Sequence, residues 1–267
     1  MVATTIPFPN VRKLFLPDPG YMIADVDLAG AEAQVVAWDA GDEDLKAAFR
    51  AGINVHVKNA RDVFPVRTKG WSDEAVKADS GPGGVYYLVK RCVHGTHNGG
   101  KPKGLATQIG ITVAEAANFQ HIWFGLHPKI KEREERIMQS LEGRLPGIPP
   151  RTIRNQFGYS ITYFDRIENV FTEALTWIQQ STVGICCERG LIALRDRTPW
   201  CELLLQVHDS IVLQFPKDRL CELHKVRDAL RTVIVPYPDP LYIPWDVKVS
   251  DRSWGHCKDF DWDSVAG

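Results

Sequence analysis

Two apolar arms, Leu203-Leu204-Leu205 and Ile211-Val212-Leu213, flank the polar centre His208-Asp209-Ser210. Apolar segments of this length around a short polar centre read as a β-hairpin, with the polar residues at its tip. Two further strand signals frame the chain. Tyr21–Asp27 is an apolar run opened by the turn Pro17-Asp18-Pro19-Gly20, and Trp245-Asp246-Val247-Lys248-Val249 is a partner strand near the other end. The spacing of apolar positions between the first strand and the hairpin is mostly helical. It predicts helices over Ala29–Trp38, Asp44–Ala51, Val55–Phe64, Val85–Thr96, Thr112–Ser140 and Phe171–Arg189, with Arg219–Val233 after the hairpin. Thr112 and Glu115 form a capping-box pattern, residues 70–84 read as a Gly/Pro/Ser/Asp-rich connection, and Leu145–Pro150 reads as a break. A sheet built from both ends of the chain with a helical insertion between them is an α+β arrangement.

Asp27 closes the first strand and Asp209 stands at the hairpin tip. If those strands pair, the two carboxylates face one side of one sheet, where they repel unless cations neutralise them. Mg²⁺, a hard cation that takes oxygen ligands, is the natural partner. Two such ions ~3.5–4 Å apart clamp the attacking and leaving oxygens of an in-line phosphoryl displacement. Taken singly, each aspartate reads better as a turn or cap residue, the commoner place for a lone Asp.

Charge and cysteine content exclude other classes. A net charge of −1 gives no global basic signature, so nucleic-acid binding would rest on local basic stripes. The six cysteines show neither metal-ligand nor disulfide-framework spacing and read as reduced, mostly buried thiols. No apolar run is long enough to span a membrane, and Met1–Pro9 lacks a signal-peptide layout, so a cytosolic location is expected.

The segment from Asp27 to Ala37, DLAGAEAQVVA, resembles motif A of family A, DNA polymerase I-like DNA polymerases, usually D-Y-S-Q-I-E-L-R-V-L-A. Leu205-Gln206-Val207-His208-Asp209 matches motif C, and Val85–Gly99 is similar to motif B. Gly41-Asp42, Phe49-Arg50-Ala51-Gly52, His56 and Gly104-Leu105-Ala106 fit the family's connecting stretches, so the likeness runs from about Val11 to Trp254.

The resemblance implies an α+β polymerase palm, an antiparallel sheet with helices, carrying an inserted and mainly helical fingers subdomain. The expected partition is 1–45 palm, 46–166 fingers and 167–267 palm. It implies a template-directed DNA polymerase adding dNTPs to a primer 3′ end with two Mg²⁺ ions. Asp27 and Asp209 would bind both metals, with the Leu28 carbonyl as a further ligand. Glu32 would gate against a ribose 2′-hydroxyl, and Lys90 would meet the triphosphate. Tyr86, Lys90 and His94, spaced by four, make one nucleotide-facing stripe with Arg91 beside it. Gln206 and His208 would contact the primer terminus, Gln180 the template side, and Asn98 the DNA. Bland readings stay open: Glu32 as a solvated helix charge, Lys90 with Arg91 as a surface pair, His208 as a turn residue. Arg151, Arg154 and Arg166 read either as flanking the template path or as ordinary surface.

The pattern departs from the family in motif B. Tyr86 stands where arginine is usual, His94 where an aromatic, and Asn98 where a tyrosine. Gln34 replaces an arginine in motif A, and Ser210 the acidic residue after Asp209. Because motif A opens at Asp27, the expectation is no thumb or exonuclease domain and weak hold on primer-template DNA, with either a separate polypeptide supplying the missing part or the chain being a fragment or split gene product. A phage-type member fits this divergence. Two rivals remain: a single-subunit RNA polymerase-like enzyme, opposed by Glu32, and a divergent non-catalytic nucleic-acid-binding accessory protein, opposed by the intact Asp27, Glu32, Lys90 and Asp209.

Overall fold

A computed structural model describes residues 10–164 and 169–265. In chain order the elements are β1 (Tyr21–Leu28), α1 (Ala31–Ala40), α2 (Glu43–Arg50), α3 (Val55–Val63), α4 (Asp73–Ala78), α5 (Val85–His97), α6 (Pro102–Ile109), α7 (Val113–Leu126) and α8 (Pro128–Leu141). They continue with β2 (Thr152–Arg154), β3 (Ser160–Thr162), α9 (Val170–Arg197), β4 (Glu202–Val207), β5 (Ser210–Pro216), α10 (Leu223–Leu230), β6 (Ile234–Val235), β7 (Leu241–Tyr242), β8 (Trp245–Ser250) and β9 (Lys258–Asp259). Contacts divide the chain into two compact units. One comprises Met1–Ala31, Val183–Val235 and Tyr242–Gly267; the other comprises Glu32–Thr182 with Pro236–Leu241.

The first unit is built on a five-stranded sheet of order β4-β5-β1-β8-β9, with β1 antiparallel to both β5 and β8. Strand alternation sorts its side chains. Ala24, Val26 and Leu28 of β1, Ile211, Leu213 and Phe215 of β5, and Trp245 and Val247 of β8 line one fully buried face. The last turns of α9 lie close over this face at Gly190, where an added Cβ would meet Leu230, Trp245 and Ile211 at 3.1–3.2 Å. The other face carries Asp25, Asp27, Ser210, Asp246 and Lys248, with Ile23, Val212 and Trp254 forming a small apolar cluster beside them.

The second unit is helical, apart from the β2–β3 ribbon. Its interior includes Ile137, Leu141, Ile153, Tyr163, Leu175 and Ile178. Three features differ from the sequence pattern. The single helix expected over Thr112–Ser140 is two, α7 and α8, because Pro128 lacks an amide hydrogen and so opens a new helix at its first position. The connection 70–84 contains α4, started by Ser72, whose hydroxyl accepts from the Ala75 amide at 3.2 Å. Pro102 likewise opens α6, a helix that the apolar spacing did not reveal. The Thr112–Glu115 capping box is present in full. All six cysteines are free thiols, four of them buried.

Candidate functional site

The sheet brings Asp27 and Asp209 together. Asp27, the last-but-one residue of β1, pairs in register with Ser210 on one side and Asp246 on the other. Val207 pairs with Ser210, leaving His208 and Asp209 as the two central residues of a tight turn. His208 has φ 56°, left-handed backbone that histidine tolerates better than most side chains. The Leu28 amide donates to the Asp209 carbonyl at 3.1 Å, tying the hairpin tip to the end of β1.

Burial first, then the charge of Asp209, then Asp25 and Asp246, pushes the Asp27 carboxyl up to about 6, while Lys248 pulls it down. Burial likewise raises Asp246. The Cys187 thiol of the overlying α9 is pushed up to about 12 by burial, with both aspartates adding to it, and is therefore inert at neutral pH. Half-buried neighbouring carboxylates, whose charge raises the proton affinity of Asp27, offer oxygens suited to a hard divalent cation. Asp25 is committed elsewhere: it accepts from Ser210 Oγ and from Trp254 Nε1 (2.7 Å) and lies 3.8 Å from Arg12. Ser210, in the place of the family's acidic residue, thus braces Asp25. Sequence reading missed Asp246. Its strand was recognised, but only the register shows that it faces Asp27. Gln206 and His208 are exposed on β4 and at the tip.

A second set of residues lies in the helical unit. Tyr86, Lys90 and His94 line one side of α5, with Lys90 and His94 exposed and Tyr86 edge-on to His56 at 5.7 Å. Burial, followed by Lys90 and His94, lowers His56 to about 4, so it is neutral at physiological pH. His94 Nδ1 lies 3.6 Å from Glu32 Oε2. Arg91 is off this stripe, stacked over Tyr87 at 5.6 Å. Gln180 is exposed on α9. Asn98 caps α5, and its side chain accepts from Gln179. Arg154 is exposed on β2, while Arg151 turns inward to donate to the Tyr163 carbonyl at 2.5 Å. Arg166 and Met1–Pro9 lie outside the described residues.

Asp42, Asp44 and His127 also gather ligand atoms within 4.8 Å of one another. Their bonds are already committed. Asp42 accepts from the Leu45 amide at 3.0 Å and faces His127 Nδ1 at 2.9 Å, and Asp44 holds Lys58 at 2.5 Å. This is a buried helix cap, and we assign it no metal.

Known proteins resemble this chain over most of its length. The family model of DNA polymerase family A matches residues 4–256. DNA polymerase I of Geobacillus stearothermophilus is 32% identical over 239 residues, 85% of this chain and 26% of that protein. A DNA polymerase of Mycobacterium phage D29 is 28% identical over 257 residues, 95% of this chain and 38% of that one. A solved structure described as the POL domain of Pol1 from M. smegmatis in complex with DNA primer-template and dNTP superposes with TM-score 0.73 at 20% identity, covering 92% of this chain and 42% of that one. The chain thus spans about a quarter of the length of the Geobacillus relative. Among the described residues no helix is long and apolar enough to cross a membrane.

Proposed function

Because the chain belongs to DNA polymerase family A, we propose that it carries the palm, 1–45 and 167–267, and the fingers, 46–166, of a template-directed DNA polymerase, with the sheet at the centre of the palm. The observation that carries this reading is the register that sets Asp27 beside the Asp209 turn, with Asp27 raised to about 6. Asp27, Asp209 and the Leu28 carbonyl are the residues to hold two Mg²⁺ ions, which when bound neutralise the carboxylates and stabilise charge developing on phosphate oxygens.

The chain's own groups are assigned as follows. Lys90, exposed on α5, offers a compact cation to the triphosphate, with Tyr86, Arg91 and His94 around it. Glu32 excludes a 2′-hydroxyl, which favours dNTPs over rNTPs and argues against the RNA polymerase reading. Gln206 and His208 meet the primer terminus, Gln180 the template side, and Asn98 lies on the DNA side of α5. Duplex affinity follows the number of phosphates neutralised. Further grip from a thumb or exonuclease, in additional sequence or in a separate polypeptide, would raise processivity. We place the reaction in the cytosol.

Primer extension on a primed template with Mg²⁺ tests this reading. The chain should add the complementary dNTP, and Asp27→Ala or Asp209→Ala should each remove the activity. Template binding with no Mg²⁺-dependent addition would make it the non-catalytic accessory protein.

A further inference from the structure

His94 and Asn98 stand where the family carries aromatic rings, and the structure joins them into one polar chain. Asn98 Oδ1 accepts from Gln179 Nε2 and lies 3.5 Å from Thr176 Oγ1, both on α9. That leaves the Asn98 amino group to face His94 Nε2, at 3.2 Å, one helical turn back. A ring nitrogen that receives an N–H must present its lone pair, so neutral His94 carries its proton on Nδ1. Nδ1 is the atom that faces Glu32 Oε2 at 3.6 Å. That oxygen is buried without a hydrogen-bond partner in the described contacts, and an Nδ1–H is the donor that fits it. Gln179, 1% exposed, anchors the far end of the chain from inside the helical unit. Four side chains from α1, α5 with its cap, and α9 thus run Gln179, Asn98, His94, Glu32.

We propose that Gln179 is a positioning residue for sugar selection: it orients Asn98, which fixes His94 as the Nδ1–H tautomer, and that proton holds the Glu32 carboxylate in its gating position. The inference rests on the reading of Glu32 as the sugar gate. Gln179 itself touches no substrate.

Two readouts on the same variants test it. The first is the ¹⁵N signature of the His94 ring, assigned by its loss in His94→Phe and recorded at a pH where histidine is neutral. Wild type should show a protonated Nδ1 and an unprotonated Nε2. Gln179→Leu, or Gln179→Met if the leucine variant folds poorly, should move the proton toward Nε2, the position preferred by a free imidazole. The second is the dNTP-to-rNTP ratio of kcat/KM in primer extension. Gln179→Leu should lower it roughly tenfold through gained rNTP use, with kcat for dNTP little changed. Adding His94→Phe to Gln179→Leu should lower it little further, because both break one chain. A merely structural Gln179 would lower Tm and leave the tautomer and the ratio in place, which overturns the proposal. So does a wild-type ring protonated at Nε2. If Glu32→Ala also leaves the ratio unchanged, the gate assignment falls, and this inference with it. A chain that extends no primer overturns the polymerase reading, while a wild-type ring protonated at Nε2 overturns the hydrogen-bonded chain alone.

Discussion

Replacing Asp27 by asparagine should stabilise the metal-free protein at neutral pH while removing its activity. Burial, followed by the charge of Asp209, lifts the Asp27 carboxyl from 3.8 to about 6. The unfolded chain therefore ionises first as the pH rises. Between those two values the folded state binds more protons, so stability falls with rising pH, and the full cost stands above about 6. At about 1.36 kcal/mol per unit the rise corresponds to about 3 kcal/mol before screening. The carboxyl is only half-buried, which reduces the figure to roughly 1–2 kcal/mol. Asparagine keeps the shape and removes the charge, so for a chain of this size Tm should rise by roughly 2–8 °C. Differential scanning calorimetry in EDTA at neutral pH reads this directly. The gain should vanish once the pH is below 3.8, where both states are protonated. Adding Mg²⁺ should raise Tm for wild type and not for the variant. An Asp27→Asn protein no more stable than wild type at neutral pH, or one whose gain persists in acid, would refute the reasoning.

Three further substitutions test the frame. Gly190→Ala sets about 1 kcal/mol of helix propensity against a methyl that meets three side chains at 3.1–3.2 Å; overpacking should win and Tm fall, whereas Gly184→Ala on the same helix, with nothing within 4 Å, should raise it. Asp42→Ala should cost about 3–5 kcal/mol in urea unfolding, because it removes the α2 cap and strands the buried His127. Although burial pushes the Asp42 carboxyl up, His127 and the Leu45 amide hold it below the usual range. Its stabilisation is therefore present at neutral pH and lost only as the pH falls through its lowered folded value.

The sheet was legible because its strands announce themselves: an apolar run opened by a turn in β1, a short strand signal in β8, and two apolar arms around a polar tip in β4 and β5. The helical unit was read less well for a local reason. Apolar spacing runs unbroken across Leu126-His127-Pro128, and only the missing amide of Pro128 separates α7 from α8. Asp27 and Asp209 could be paired from sequence because one ends a strand, the other sits at a hairpin tip, and both fall in recognisable motifs. Asp246 could not, since its place opposite Asp27 is a property of register. Asn98 read in isolation looks like the loss of a tyrosine. Its meaning lies in Gln179, far along the chain on α9, and no spacing rule connects the two.

The shared electrostatics of the two aspartates can be measured most directly by ¹³C NMR titration of the Asp27 carboxyl. In metal-free wild type it should titrate near 6. The value should fall in Asp209→Asn, and fall out of the accessible range when Mg²⁺ is added. An Asp27 that titrates like an ordinary aspartate, and responds neither to Asp209→Asn nor to Mg²⁺, would contradict a common cation site.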